Sequence, residues 1–308
     1  MRNKKQIYKL AIIFLVLLVI VILLNTEIFN RSSTYKLEEQ FFKIDSALVD
    51  KLILEQKGKR VVLEKTYEWR VTEPVNYKAN DININFAISD LKNYRIISLQ
   101  ADNLNRKEKF GFTDTSEVKV TVFQKGEEMG SFIIGGQGPG HPQVYVRKVD
   151  GNEIYLADGI LHYNFVKNSS NDWRDLSIIK IPKGSIKSLE FISKEGSFVL
   201  EKDTTASTFK HGNDSINTSI LEGVLNMLND FNTQSFKDST LGPDVKFDFT
   251  LRVVWDKVTN INFLKYGDEE SPRYIIKVDG IEQLFDVDKN FALNLMKTKK
   301  DLIVSKSK

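Results

Sequence analysis

Three groups of residues have types and spacings that chemistry could use. The first is the run Gly135, Gly136, Gly138 and Gly140, closed by His141. Successive backbone N–H groups can cradle an anion, but a phosphate loop needs them at a helix N-terminus, usually with Lys-Ser/Thr behind. Here the run follows a strand pattern, contains Pro139 and leads into another strand pattern, and no Gly-Lys-Ser/Thr occurs. A wide β-turn is the favoured reading, with residues 135–141 kept as the candidate ligand loop. The second group is His141, His162 and His211, which sit apart with no His-x-x-x-His or His-Glu-x-x-His spacing. Neither a metal site nor a triad is expected of them. The third is Asp286, Asp288 and Asn290, which open like a calcium loop. Such a loop requires Gly at its sixth position and Glu at its twelfth, where this chain has Phe291 and Lys297.

Other chemistry is narrowed in the same way. The chain has no Cys, so thiolate ligands, disulfides and a cysteine nucleophile are excluded. No Gly-x-Ser-x-Gly elbow is present. Trp69, Trp173 and Trp255, with Tyr67, Tyr77 and Tyr145, have the chemistry of a sugar-stacking platform. Large aromatics in alternating strands more often fill a core or form cross-strand pairs. No catalytic residue, metal or cofactor is therefore expected. Net charge is +3, but Arg2, Lys4, Lys5 and Lys9 supply +4 of it, leaving the body near neutral (3 minus 4). That argues against nucleic acid, which needs a concentrated basic face.

The elements that must position these residues come in two similar sets. Val61, Val62, Leu63, Glu64, Lys65 return as Phe198, Val199, Leu200, Glu201, Lys202, a spacing of 137 residues (200 minus 63). At that spacing Leu52 maps to Leu189, and Ile84, Ala87, Ile88, Leu91 map to Leu221, Val224, Leu225, Leu228. The last two sets fall at i, i+3, i+4, i+7 and predict one helix in each copy, with Asn80 or Asp81 as a cap in the first. Lys-Gly, Glu-Gly and Asp-Gly pairs between alternating runs predict hairpins. Each copy reads β-β-α-β-β-β-β, an internal duplication of α+β class. Residues 290–302 suggest a closing helix.

Residues 10–24 carry no charged or polar side chain. At about 1.5 Å per residue they cover about 22 Å of a roughly 30 Å hydrocarbon core, extendable if Lys9 snorkels. Four basic residues precede the run and Glu27 follows it. This predicts an uncleaved single-pass signal anchor in the inner (cytoplasmic) membrane, with the short N-terminus in the cytoplasm and the bulk extracytoplasmic or periplasmic. The expected division is then residues 1–29 as basic tip and transmembrane anchor and 30–43 as a polar tether with a little helix over 37–42. Residues 44–180 form the first repeat unit, 181–303 the second and 304–308 a loose tail.

Trp69-Arg70-Val71-Thr72-Glu73-Pro74 resembles the Trp-x-hydrophobic-x-x-Pro signature of a bacterial family of domains of unknown function, number 4340. Phe110-Gly111-Phe112, residues 118–123, Ile133-Ile134-Gly135, Val144-Tyr145-Val146 and Trp173-Arg174-Asp175 resemble its later positions. The resemblance covers roughly residues 50–180. It implies a membrane-anchored extracytoplasmic protein, often associated with ABC transporters of the gliding-motility type, and it carries over no catalytic residue.

The expected function is thus a non-catalytic binding or scaffold protein, an accessory of an ABC-type transporter or envelope complex. The alternative is an envelope carbohydrate-active enzyme or hydrolase between the two units, with acids such as Asp158 and Asp288 converging. A ligand sensor using residues 135–141 is a third expectation.

Overall fold

Strand runs that alternate apolar and polar residues must bury one face, and here they build two antiparallel sheets, each sharing a core with one main helix. The computed structural model describes residues 8, 9, 12–18, 39–203, 205 and 208–304. The first sheet contains β1 (Val49–Gln56), β2 (Lys59–Lys65), β3 (Trp69–Glu73), β4 (Tyr77–Lys78), β5 (Arg95–Ala101), β6 (Val118–Gln124), β7 (Glu127–Gln137), β8 (Gln143–Lys148) and β9 (Ile154–Asp158). Their order across the sheet is β4-β3-β2-β1-β6-β7-β8-β9-β5.

Helix α1 (Asp81–Asn93) lies between β4 and β5 in sequence. Asn80 starts it by accepting the backbone N–H groups of Ile82 and Asn83, both at 3.1 Å. Its buried stripe is Ile84, Ala87, Ile88 and Leu91, which pack with Leu52, Leu63, Val120 and Ile134 of the sheet. Burying each larger aliphatic side chain contributes about 1.5–3 kcal/mol, which outweighs the modest helix propensity of the β-branched Ile84 and Ile88.

The second sheet contains β11 (Ser188–Ser193), β12 (Gly196–Lys202), β13 (Phe209–Lys210), β16 (Ser235–Lys237), β17 (Phe249–Val254), β18 (Val258–Tyr266), β19 (Arg273–Val278) and β20 (Leu284–Asp288). Its order is β13-β12-β11-β17-β18-β19-β20-β16. Short pairs β10 (Ser177–Ile179) with β15 (Phe231–Asn232) and β14 (Ser215–Ile216) with β21 (Ile303–Val304) stand beside it. In both sheets a hairpin is followed in space by a four-strand meander and then by an edge strand that comes after the helix in sequence. The echoed pentapeptides occupy β2 and β12. Helix α3 (Thr218–Asn229) buries Leu221, Val224, Leu225 and Leu228 against the second core.

Several expectations are corrected. Of residues 10–24, only 12–18 are described: they form a helix with exposed side chains, and the rest of the run lies outside the described residues. Among the described residues no helix is long and apolar enough to cross a membrane. Among the described residues the fold is accordingly two sheet-rich regions, with no membrane-spanning helix among them. The signal anchor, membrane partner, inner-membrane and periplasmic placement, and the membrane-anchored scaffold or transporter-accessory role lose the feature on which they rested.

Smaller differences have local causes. Residues 39–42 bend where a little helix was expected, and positions 37 and 38 lie outside the described residues. Phe41 and Phe42 fold onto Phe132, with Phe41 also against Tyr94 and Tyr155, so this stretch of the tether is tied to the first core. The closing helix is broken into α4 (Lys289–Leu295) and α5 (Lys299–Leu302), because the Thr298–Asp301 capping box begins a new helix. Ile303–Val304 pairs as β21, and residues 305–308 lie outside the described residues.

Candidate ligand-binding cavity

The β1–β2 hairpin turns at Lys57 and Gly58, with φ of 53° and 68°. Two consecutive positive φ angles give the tight turn that matches strand twist. Alternation then puts Leu54, Gln56, Lys59 and Val61 on the helix-bearing face, while Glu55 points to the opposite one. Beneath this tip runs the segment from helix α2 (Leu161–Phe165) to the 3₁₀ turn Ser170–Trp173. Asp172 organises that turn by accepting the backbone N–H groups of Asn168 and Ser169, each at 3.1 Å. Phe165 and Trp173, 1% and 2% exposed, form an apolar floor with ring centroids 6.3 Å apart.

Between tip and floor lies a cavity of about 70 Å³, lined also by Lys57, Arg60, Lys167 and Ser170. A water needs roughly 10–15 Å³ by the same measure, so several waters or one small anion fit. The Lys167 ammonium lies 5.4 Å from the Trp173 ring centre and 5.8 Å from that of Tyr163. Burial pushes its pKa down, with the Asp172 charge acting in the opposite direction. Lys57, Lys59 and Lys167 make no ion pair among the described residues, and Arg60 reaches Glu73 only at 3.6 Å with both side chains half exposed. Gln56 Oε1 accepts the Lys167 backbone N–H at 3.3 Å. Its Nε2 is buried with no hydrogen-bond partner among the described residues. Cations above, an unsatisfied amide donor at the side and aromatic rings below suit an anion with a small apolar body.

The sequence-derived candidates are placed elsewhere. Gly135 and Gly136 lie within β7 against Phe110-Gly111-Phe112, where a Cβ on Gly111 would come 2.4 Å from the Gly136 nitrogen. Gly138 donates to the Gln143 carbonyl at 2.8 Å and Gly140 to Gln143 Oε1 at 3.0 Å, so these two donors are used within the turn. His141 is exposed beside them and precedes the cis Pro142. His162 Nδ1 is 2.9 Å from the Gly135 carbonyl, and His211 Nδ1 is 2.8 Å from that of Val199. Asp158 ends β9 and is exposed, whereas Asp288 caps α4 by accepting the Phe291 N–H at 2.8 Å. Asp286 accepts from Arg273 and from Tyr266. Among the described residues no group of three or more His, Asp or Glu is placed to hold a metal.

Trp69 and Trp173 are buried in the first core, so neither offers an open surface platform for a sugar. The cavity residues escaped sequence reasoning because their two halves lie about a hundred residues apart. One local signal exists: Lys57, Lys59 and Arg60 put three cations on a four-residue hairpin tip.

The family signature also acquires physical meaning. Trp69 and Val71 are core residues of β3, Phe110-Gly111-Phe112 is the close backbone crossing just described, and Trp173 floors the cavity. No curated protein and no solved structure matches this chain. A family described as a domain of unknown function, DUF4340, matches residues 69–248, more than half the chain, from β3 in the first sheet to the residue before β17 in the second. The chain therefore belongs to the DUF4340 family.

Proposed function

We propose that this protein binds a small anionic ligand in the cavity between the β1–β2 hairpin and residues 165–173, without transforming it. The observation that carries this reading is Lys167: a half-buried ammonium over Trp173, without a carboxylate in ion-pair range among the described residues, beside the orphan amide of Gln56. A partly buried cation gains from a nearby anion; the Lys167 ammonium has only the Tyr163 carbonyl, at 3.5 Å, and the nearby Asp172 is already engaged by two backbone N–H groups. Lys57, Lys59 and Arg60 add long-range attraction that salt screens. Among the described residues no nucleophile hydrogen-bonded to a base lines the cavity, and retention rather than turnover is the chemistry this reading takes.

The test is titration with inorganic phosphate and with acetate, followed by amide and indole NMR shifts. Shifts at Gln56, Lys167 and Trp173, weakened by added salt and reduced about tenfold or more in affinity by Lys167→Met, are expected. Unchanged spectra at millimolar anion, or equal affinity in Lys167→Met, would remove the reading.

A further inference from the structure

Trp173 and Arg174 are neighbours in the chain but serve different places. Trp173 lines the cavity, while the Arg174 side chain, 0% exposed, reaches toward the second sheet. Its Nη1 donates to Asp238 Oδ1 at 2.8 Å, and its guanidinium carbon lies 4.7 Å from the Phe236 ring centre and 5.8 Å from that of Tyr77. The residues that follow are held from both sides, Asp175 by β4 of the first sheet and Leu176 by Thr233 beside the second. Asp175 donates its N–H to the Lys78 carbonyl at 2.9 Å and pairs with the Lys78 ammonium at 3.0 Å. Thr233 donates to the Leu176 carbonyl at 2.7 Å, and β10 pairs with β15. On the near side, the Trp173 carbonyl accepts from the backbone of Asn80, the α1 cap, at 2.8 Å. One continuous strap thus joins cavity floor, helix start and second sheet.

The contact is incompletely satisfied. Arg174 Nε and Nη2 are buried and have no hydrogen-bond partner among the described residues. A guanidinium offers five N–H donors, and burying them unpaired is costly.

We propose that the Trp173-Arg174-Asp175 strap couples occupancy of the cavity to the contact between the two sheets. This rests on the anion-binding reading and adds its regulation. An anion drawn against Lys167 alters the cation's stacking on Trp173, and Arg174 cannot follow a shift of Trp173 without changing its hold on Asp238 and Phe236. Coupling of this kind is reciprocal: whatever factor the ligand exerts on the contact, a perturbed contact exerts on ligand affinity.

The experiment is amide hydrogen exchange of the full chain with and without saturating inorganic phosphate, read at Asp175 and Thr233. It is paired with phosphate affinity in Asp238→Asn, a substitution outside the cavity. The expected result is at least a threefold change in exchange at both amides and a comparable change in affinity in the variant. If phosphate binds the wild-type cavity but exchange at both amides stays the same, the coupling is overturned and the site stands. If phosphate does not bind the wild-type cavity, both readings fall together. Exchange in the wild-type protein decides the matter even if Asp238→Asn folds poorly.

Discussion

A lysine ammonium over an indole face keeps electrostatic stabilisation from the ring but loses part of its hydration, and at Lys167 burial is the larger effect on its pKa. Since the folded value is depressed, the unfolded chain holds more protons between that value and the ordinary lysine range. Stability therefore rises with pH across that window as the desolvation penalty of the partly buried charge is relieved. Ligand affinity moves the opposite way. Phosphate binding should weaken as Lys167 deprotonates, below the ordinary lysine range, while Lys167→Arg, charged throughout, should hold affinity to higher pH. Affinities measured across alkaline pH check this, and parallel profiles for the two proteins would contradict it. Gly111 gives a second prediction at this scale. Gly58→Ala meets open space and carries only the cost of a positive φ, about 1–2 kcal/mol. Gly111→Ala adds a collision with the Gly136 backbone and should lose more than that, visible in denaturant midpoints as a clearly larger drop.

At the scale of elements, α1 is held at its start by one side chain that accepts two backbone N–H groups, whereas α3 has the Asn217 side chain accepting only from Ile220, at 3.3 Å. Asn80→Ala should cost about 1 kcal/mol in urea unfolding, and Asn217→Ala less. Equal losses would mean that cap geometry is not what separates them. The same two helices show which parts of the fold were legible. Their stripes repeat at the helical period, so Ile84 to Leu91 and Leu221 to Leu228 could be read directly. β5 could not be read, because its pairing with β9 shifts register twice and so breaks the two-residue alternation. β16 is three residues long and offers no period at all. The cavity failed for a further reason: cations at a hairpin tip look like solvated turn residues until Phe165, Lys167 and Trp173 are folded beneath them. The run from Gly135 to Gly140 misled in the other direction. Its glycines at 135 and 136 answer a backbone crossing by Gly111, a contact no local pattern reveals.

At the scale of the whole molecule, two sheets with corresponding strand order hold separate cores, and a buried cation sits where they meet. Duplication of one unit is our proposal for their common order, and the strap residues are then a later adaptation, since they tie one copy to the other. A buried ion pair need not contribute net stability, because desolvation offsets attraction, but breaking one partner exposes the full cost of the survivor. Here the asymmetry is pronounced: the Arg174 side chain is 0% exposed and that of Asp238 37%. Asp238→Asn leaves the guanidinium between Phe236 and Tyr77 without its counter-charge and should destabilise by about 2 kcal/mol, less than a fully buried pair because water reaches position 238. Arg174→Met removes the charge and leaves an apolar chain against the same two rings, so Asp238→Asn should cost much less in its presence. The double-mutant cycle in urea should show a coupling of about 1–2 kcal/mol. Strict additivity would mean that the rings alone support Arg174. In that case Asp238 is dispensable to the contact, and the strap's reach into the second sheet rests on its backbone bonds.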